Sequence, residues 1–135
     1  MSDQADIARL IDAARAAREH AHAPFSGFKV GAAVETAGGR VYTGCNIENA
    51  TYGLTLCAER VAVFKAMSEG ERDFVRVAVV AETDPLTPPC GACRQILSEF
   101  CGNAEIILAN LGGRIESHSM LDLFPSPFDQ RFFRG

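Results

Sequence analysis

No stretch of this chain approaches the roughly 20 consecutive apolar residues that a membrane-spanning helix requires. An excess of basic charge is missing too, since 13 Lys and Arg stand against 17 Asp and Glu, a formal net charge of −4. Nucleic-acid binding leans on cations that neutralise phosphates, so a DNA or RNA backbone is not expected as the main partner. The opening MSDQADIARL has neither the basic segment nor the apolar core of a secretory signal, which makes a reducing, cytoplasmic setting the expectation. Repeats, low-complexity tracts and Gly/Ser linkers are absent, so the 135 residues are expected to form a single domain, 1–135. Histidine is scarce, and His20, His22 and His118 bear no spacing relation to the cysteines, so they are expected at the surface.

What the chain does contain is an ordinary globular composition, 47% hydrophobic and 22% charged, and five cysteines. At this length about two-thirds of the unfolded surface is buried on folding, enough for a true core. In a reducing setting Cys45, Cys57, Cys90, Cys93 and Cys101 are ligands, nucleophiles or small core residues rather than disulfides.

The periodicity gives an α/β order. Ile7, Leu10, Ile11 and Ala14 recur at helical spacing over 3–21, and Pro24 closes that segment. Phe28, Val30, Ala32 and Val34 alternate with Lys29, Gly31, Ala33 and Glu35, which predicts a strand over 28–35 whose small residues suit a closely packed helix. A turn at Thr36–Gly39 leads to a second strand over 40–45 and makes a hairpin. A helix over 57–69, a strand over 74–81, a helix over 90–100, strands over 106–109 and 114–118 and a short helix at 120–123 complete the order α-β-β-α-β-α-β-β-α. The second, third and fourth strands and the helices between them form two βαβ units, whose right-handed crossovers put both helices on one face. Both helices then start at the C-terminal edge of the strands, where open α/β sheets place their ligands. Cys57, Cys90 and Cys93 converge there.

Cys90-Gly91-Ala92-Cys93 alone is a redox dithiol, half of a zinc site, or two small core residues. Cys57 adds a third thiolate at a second helix start, and no second CxxC supplies a fourth; only Cys45 could. Three ligands with one open position is the catalytic zinc arrangement, against a structural four-cysteine site or a redox pair. Three thiolates leave Zn²⁺ with a net charge of −1, which two helix N-termini and Arg60, hydrogen-bonded to the sulfurs, would offset. Glu59 borders such a metal only if Cys57 caps the helix, because residues two apart do not share a helical face.

Cys57-Ala58-Glu59 followed by Pro89-Cys90-Gly91-Ala92-Cys93 matches the zinc-deaminase signature of a ligand, a non-ligand Glu and PCxxC. With APFSGFKVGAA (23–33), GCNIENATYGLTLCAER (44–60) and PCGACRQ (89–95) in order, the chain resembles the zinc-dependent cytidine deaminase family, in particular its small three-cysteine subgroup that acts on free nucleosides. That resemblance implies a three-layer α/β/α fold with a mixed five-stranded sheet. It implies zinc on Cys57, Cys90 and Cys93, and Glu59 as the proton shuttle in the hydrolysis of cytidine and 2′-deoxycytidine to their uridine counterparts in pyrimidine salvage. Phe28 would stack on the pyrimidine, Asn46 and Glu48 would hold the ribose hydroxyls, and the Ala58 backbone would meet the base carbonyl. Phe128, or else Phe132 or Phe133, would reach a neighbouring site in a homotetramer. A carboxylate at Glu48 would repel phosphate, which favours nucleosides over nucleotides. The alternatives are a blasticidin S deaminase-like enzyme and a non-catalytic zinc or redox scaffold.

Overall fold

Strand β1 (Val30–Thr36) is buried along its whole length, because helices pack on both of its faces. It belongs to a computed structural model that describes residues 2–133. Helix α1 (Ser2–Arg18) precedes it; strand β2 (Val41–Cys45), helix α2 (Ala58–Ser68), strand β3 (Phe74–Ala81), helix α3 (Gly91–Phe100), strands β4 (Glu105–Ala109) and β5 (Ile115–Ser119) and helix α4 (Met120–Leu123) follow. The five strands form one mixed sheet in the order β2-β1-β3-β4-β5. β1 pairs antiparallel with both β2 and β3, β3 and β4 are parallel, and β5 returns antiparallel along β4.

The expected element order holds. One detail of the topology is more specific than the pattern could show: β1 sits between β2 and β3. The three strands that feed the two crossovers do run the same way, but only β3 and β4 are hydrogen-bonded in parallel.

Alternation sorts the core into two layers, as a period of two requires. Val77, Val79, Ile106 and Leu108 face α2 and α3, together with Ala62, Val63 and Leu97. Ala33, Ala78, Val80 and Ile107 face Leu10, Ile11 and Ala14 of α1. Helices on both faces make the three-layer α/β/α sandwich that the resemblance implies.

Two glycines set the distances between layers. A Cβ on Gly31 would lie 1.9 Å from the Ala14 carbonyl oxygen, so α1 lies directly on β1. A Cβ on Gly44 would lie 2.5 Å from the Ala58 carbonyl oxygen and 2.6 Å from the Ala62 nitrogen, so the first turn of α2 rests on β2. That second contact fixes the height of the helix start that carries Cys57.

β1 begins at Val30, two residues later than the alternation predicts. The Asn46 side chain is the cause: its Oδ1 accepts from Val30 N at 2.9 Å, and its Nδ2 donates to Phe28 O at 2.7 Å. These bonds hold Phe28 in the approach to the strand rather than in the ladder. Helix α1 closes at Arg18, three residues before the expected end, with turn bonds from Glu19, His20 and Ala21 to the carbonyls of Ala16, Ala17 and Arg18.

Candidate active site

Cys57 and Cys90 are the N-cap residues of α2 and α3, each in extended backbone, so their side chains stand at the helix starts with free amides behind them. Cys93 lies in the first turn of α3 and is fully buried. The sulfurs of Cys57, Cys90 and Cys93 all lie within 4.8 Å of one another. The Cys57 and Cys90 sulfurs are 3.7 Å apart, against an edge of about 3.8 Å for two thiolates at 2.3 Å from a tetrahedral Zn²⁺. The trio therefore fits a zinc site. Neither Cys45 nor Cys101 joins the cluster.

The sulfurs share charge unevenly. Cys57 is held as a thiolate, pulled down to about 5 by a hydrogen bond from Cys93 and by Arg60. That same bond and burial push the Cys93 thiol up. Arg60 donates from Nη2 to Cys57 Sγ at 3.5 Å and to the Thr55 carbonyl at 3.2 Å, as the charge argument predicts for this cation. Its Nε is buried without a partner among the described residues.

Glu59 occupies the first turn of α2 and is only 4% exposed. Because Cys57 is the cap, Glu59 escapes the two-apart problem and lines the same cavity as Cys57 and Cys90. Burial pushes its carboxyl up to about 7.

That cavity holds about 250 Å³, near the small end of the range for small-molecule sites. It brings together Phe28, Asn46, Glu48, Cys57, Ala58, Glu59 and Cys90, all named from sequence, and adds Ser26, Thr55 and Thr87. Phe28 is 41% exposed and is not a core residue. Asn46 is buried and braces the aromatic wall with one bond at each end of its amide, with Val30 N and Phe28 O. This leaves one amide hydrogen and one oxygen lone pair for a further partner at the cavity. Glu48 Oε1 accepts from the amides of Phe25 at 2.9 Å and Ser26 at 3.2 Å, and Oε2 accepts from the Ser26 hydroxyl. These three donors hold the Glu48 carboxyl below the usual range, the Ser26 hydroxyl foremost.

Phe128 is not brought to this cavity. Its ring is 58% exposed, stacked on Phe132 at 5.6 Å and edge-on to Phe133 at 5.7 Å, while its carbonyl accepts from Gln95 Nε2 at 2.8 Å. Ser26 was missed because a serine in a Pro-Phe-Ser-Gly turn carries no signal of its own. Only the placement of Glu48, 22 residues on, reveals it.

The family model for the cytidine and deoxycytidylate deaminase zinc-binding region matches residues 4–109. The chain belongs to this family. A cytidine deaminase of Sporosarcina psychrophila is 48% identical over 126 residues, 93% of each chain. One of Halalkalibacterium halodurans is 52% identical over 124 residues, 91% of this chain and 94% of the relative. The crystal structure of cytidine deaminase from Burkholderia pseudomallei has a TM-score of 0.86 and 51% identity, over 89% of this chain and 97% of that one. A blasticidin-S deaminase of Bacillus cereus is more distant, 30% identical over 104 residues, 71% of this chain and 74% of its own. Against this family background the three-thiolate cluster is a zinc centre.

Proposed function

We infer that the chain, acting as a single domain over 1–135, hydrolyses cytidine and 2′-deoxycytidine to uridine and 2′-deoxyuridine with release of ammonia. One observation carries this reading: Glu59, a buried carboxyl, shares a small cavity with two of three clustered thiols and with an aromatic wall at Phe28. Cys57, Cys90 and Cys93 would hold zinc, which when bound supplies a Lewis acid able to bring the pKa of a water from about 15.7 towards 7.

The rest falls to the chain's own residues. Phe28 packs on the pyrimidine, and Asn46 braces the backbone that follows it, at Phe28 O and Val30 N, with an amide hydrogen left to donate to a ribose hydroxyl. The free amide at the start of α2, at Ala58, meets the base carbonyl. Glu59 takes the proton that the attacking water gives up and delivers it to N3, which makes C4 electrophilic. The oxygen adds at C4, Glu59 carries the remaining proton of that new hydroxyl to the amino group, and ammonia leaves as the C4–N bond breaks and the C4 carbonyl forms. One carboxyl thus serves both transfers, each worth about 10²–10⁴ in rate. Arg60 offsets thiolate charge behind the site. Glu48, an ionised acceptor, takes a sugar hydroxyl and repels phosphate, which makes nucleosides better substrates than nucleotides.

The biological setting proposed is cytoplasmic pyrimidine salvage, without nucleic-acid or membrane partners; among the described residues no helix is long and apolar enough to cross a membrane. The assembly proposed is a homotetramer in which Phe128 of one subunit completes the site of another. The exposed Phe128–Phe132–Phe133 cluster supports it, as an apolar surface that calls for cover. The test is the loss of near-ultraviolet absorbance on incubation with cytidine, with and without a strong zinc chelator. Turnover that the chelator abolishes supports the reading. Zinc at one per chain without turnover would move the substrate to another amine, and neither zinc nor turnover would return the cysteines to a redox or structural role.

A further inference from the structure

The three donors to Glu48 leave it little freedom. A carboxylate has about four lone-pair positions, two on each oxygen. On Oε1 both are taken, by the Phe25 and Ser26 amides. On Oε2 one is taken by the Ser26 hydroxyl, which itself accepts from Phe28 N at 3.0 Å. A single acceptor position remains, and the Ser26 hydroxyl decides which.

We propose that Ser26 is a positioning residue for sugar recognition: its hydroxyl locks the Glu48 carboxylate so that its one remaining lone pair faces the cavity and accepts a single substrate hydroxyl. The inference rests on the nucleoside reading above and extends it to a residue that does not itself contact substrate. It also separates two jobs within one turn. Without the serine hydroxyl Phe28 loses the partner of its amide but keeps its carbonyl bond to Asn46, which also ties Val30 N, so the aromatic wall stays braced. Glu48 keeps the two amides on Oε1, and only Oε2 loses the donor that fixes its direction. Ser26 is exposed, and its removal opens no cavity in the core.

The test compares Ser26→Ala, Ser26→Thr, Glu48→Ala and the Ser26→Ala/Glu48→Ala pair on cytidine and on 2′,3′-dideoxycytidine, which lacks the 2′ and 3′ hydroxyls that the remaining Glu48 lone pair would accept and keeps only the 5′ hydroxyl. A hydrogen bond to a charged group is worth enough for Ser26→Ala to raise KM for cytidine roughly tenfold, with kcat within about twofold. Ser26→Thr, which keeps the hydroxyl, is expected to restore KM. On dideoxycytidine, and in the Glu48→Ala background, Ser26→Ala is expected to change kcat/KM by less than about twofold, because the group it positions has nothing to hold or is gone. An equal loss on both nucleosides, a fall in kcat at constant KM, or failure of threonine to rescue would overturn the proposal. Failure of the underlying reading looks different: the unaltered enzyme would not turn over cytidine, or Glu48→Ala would leave its KM unchanged.

Discussion

Substituting Gly44 by alanine should damage catalysis far more than substituting Gly31, although Gly31 is the tighter site. The Gly44 Cβ would stand 2.5 Å from the Ala58 carbonyl and 2.6 Å from the Ala62 amide, whereas ordinary contact begins at 3.4 Å, so α2 must retreat by roughly 0.9 Å. Overpacking of this kind costs about 1–3 kcal/mol of stability. The retreat also carries Cys57 and Glu59 away from Cys90 and Cys93, which ride on α3. A misplacement of about 1 Å in a reacting constellation is worth on the order of 10² in rate. Gly31→Ala, at 1.9 Å from Ala14 O, pushes on α1 instead, and α1 contributes nothing to the cavity. The assay measures thermal stability, zinc per chain and kcat on cytidine for the folded fraction of each variant. Both should melt early, but only Gly44→Ala should lose zinc and about 10² in kcat. If Gly31→Ala lost as much kcat as Gly44→Ala, or if Gly44→Ala kept full kcat, the claim that β2 sets the height of the site would fail.

Other outcomes follow from the same geometry. Glu59→Gln should keep fold and zinc but lose at least about 10² in kcat on cytidine; a variant retaining a tenth of the activity would remove Glu59 from the proton path. Treating the folded protein with a chelator should add two titratable thiols, Cys57 and Cys90, while Cys93, fully buried and with its thiol pushed up, stays unreactive. Cys101 should stay unreactive, since it is 2% exposed and burial pushes its thiol up to about 12. Arg60→Gln should weaken zinc retention about 10–100-fold, measured by competition with a chromogenic chelator, since it removes the donor to Cys57 Sγ. Arg76→Met should lower the melting temperature sharply, because Glu35, 8% exposed and bonded to Arg76 at 2.8 Å, would be left as a buried carboxylate at a cost of about 3 kcal/mol or more.

Much of this was legible in the sequence because the signals were local. Alternation at 28–35 gave β1, and the small residues on one side of it gave a seat for a closely packed helix, which the structure fills with α1 against Gly31. The CxxC at a helix start and the lone Cys57 at another were sufficient to bring three thiols together, since the crossover rule puts both helix starts on one edge. What stayed hidden depended on side chains reaching across the fold. Asn46 drew Phe28 out of the strand, and Glu48 found its partner in the 25–26 turn; neither spacing advertises a bond. The place of β1 between β2 and β3 escaped as well, because alternation reports which face a residue takes, not which strand lies beside it.

The metal ligands divide unequally along the chain. Cys90 and Cys93 share one helical turn, so even a loosely folded chain can offer that pair to an ion. Cys57 comes from 33 residues earlier and arrives only when α2 and β3 have docked. Full zinc affinity is therefore a property of the folded sheet rather than of the cysteines, and ion retention becomes a gauge of native structure. A core lesion on the far face, such as Ile107→Ala beneath α1, should loosen the grip on zinc without touching a single sulfur.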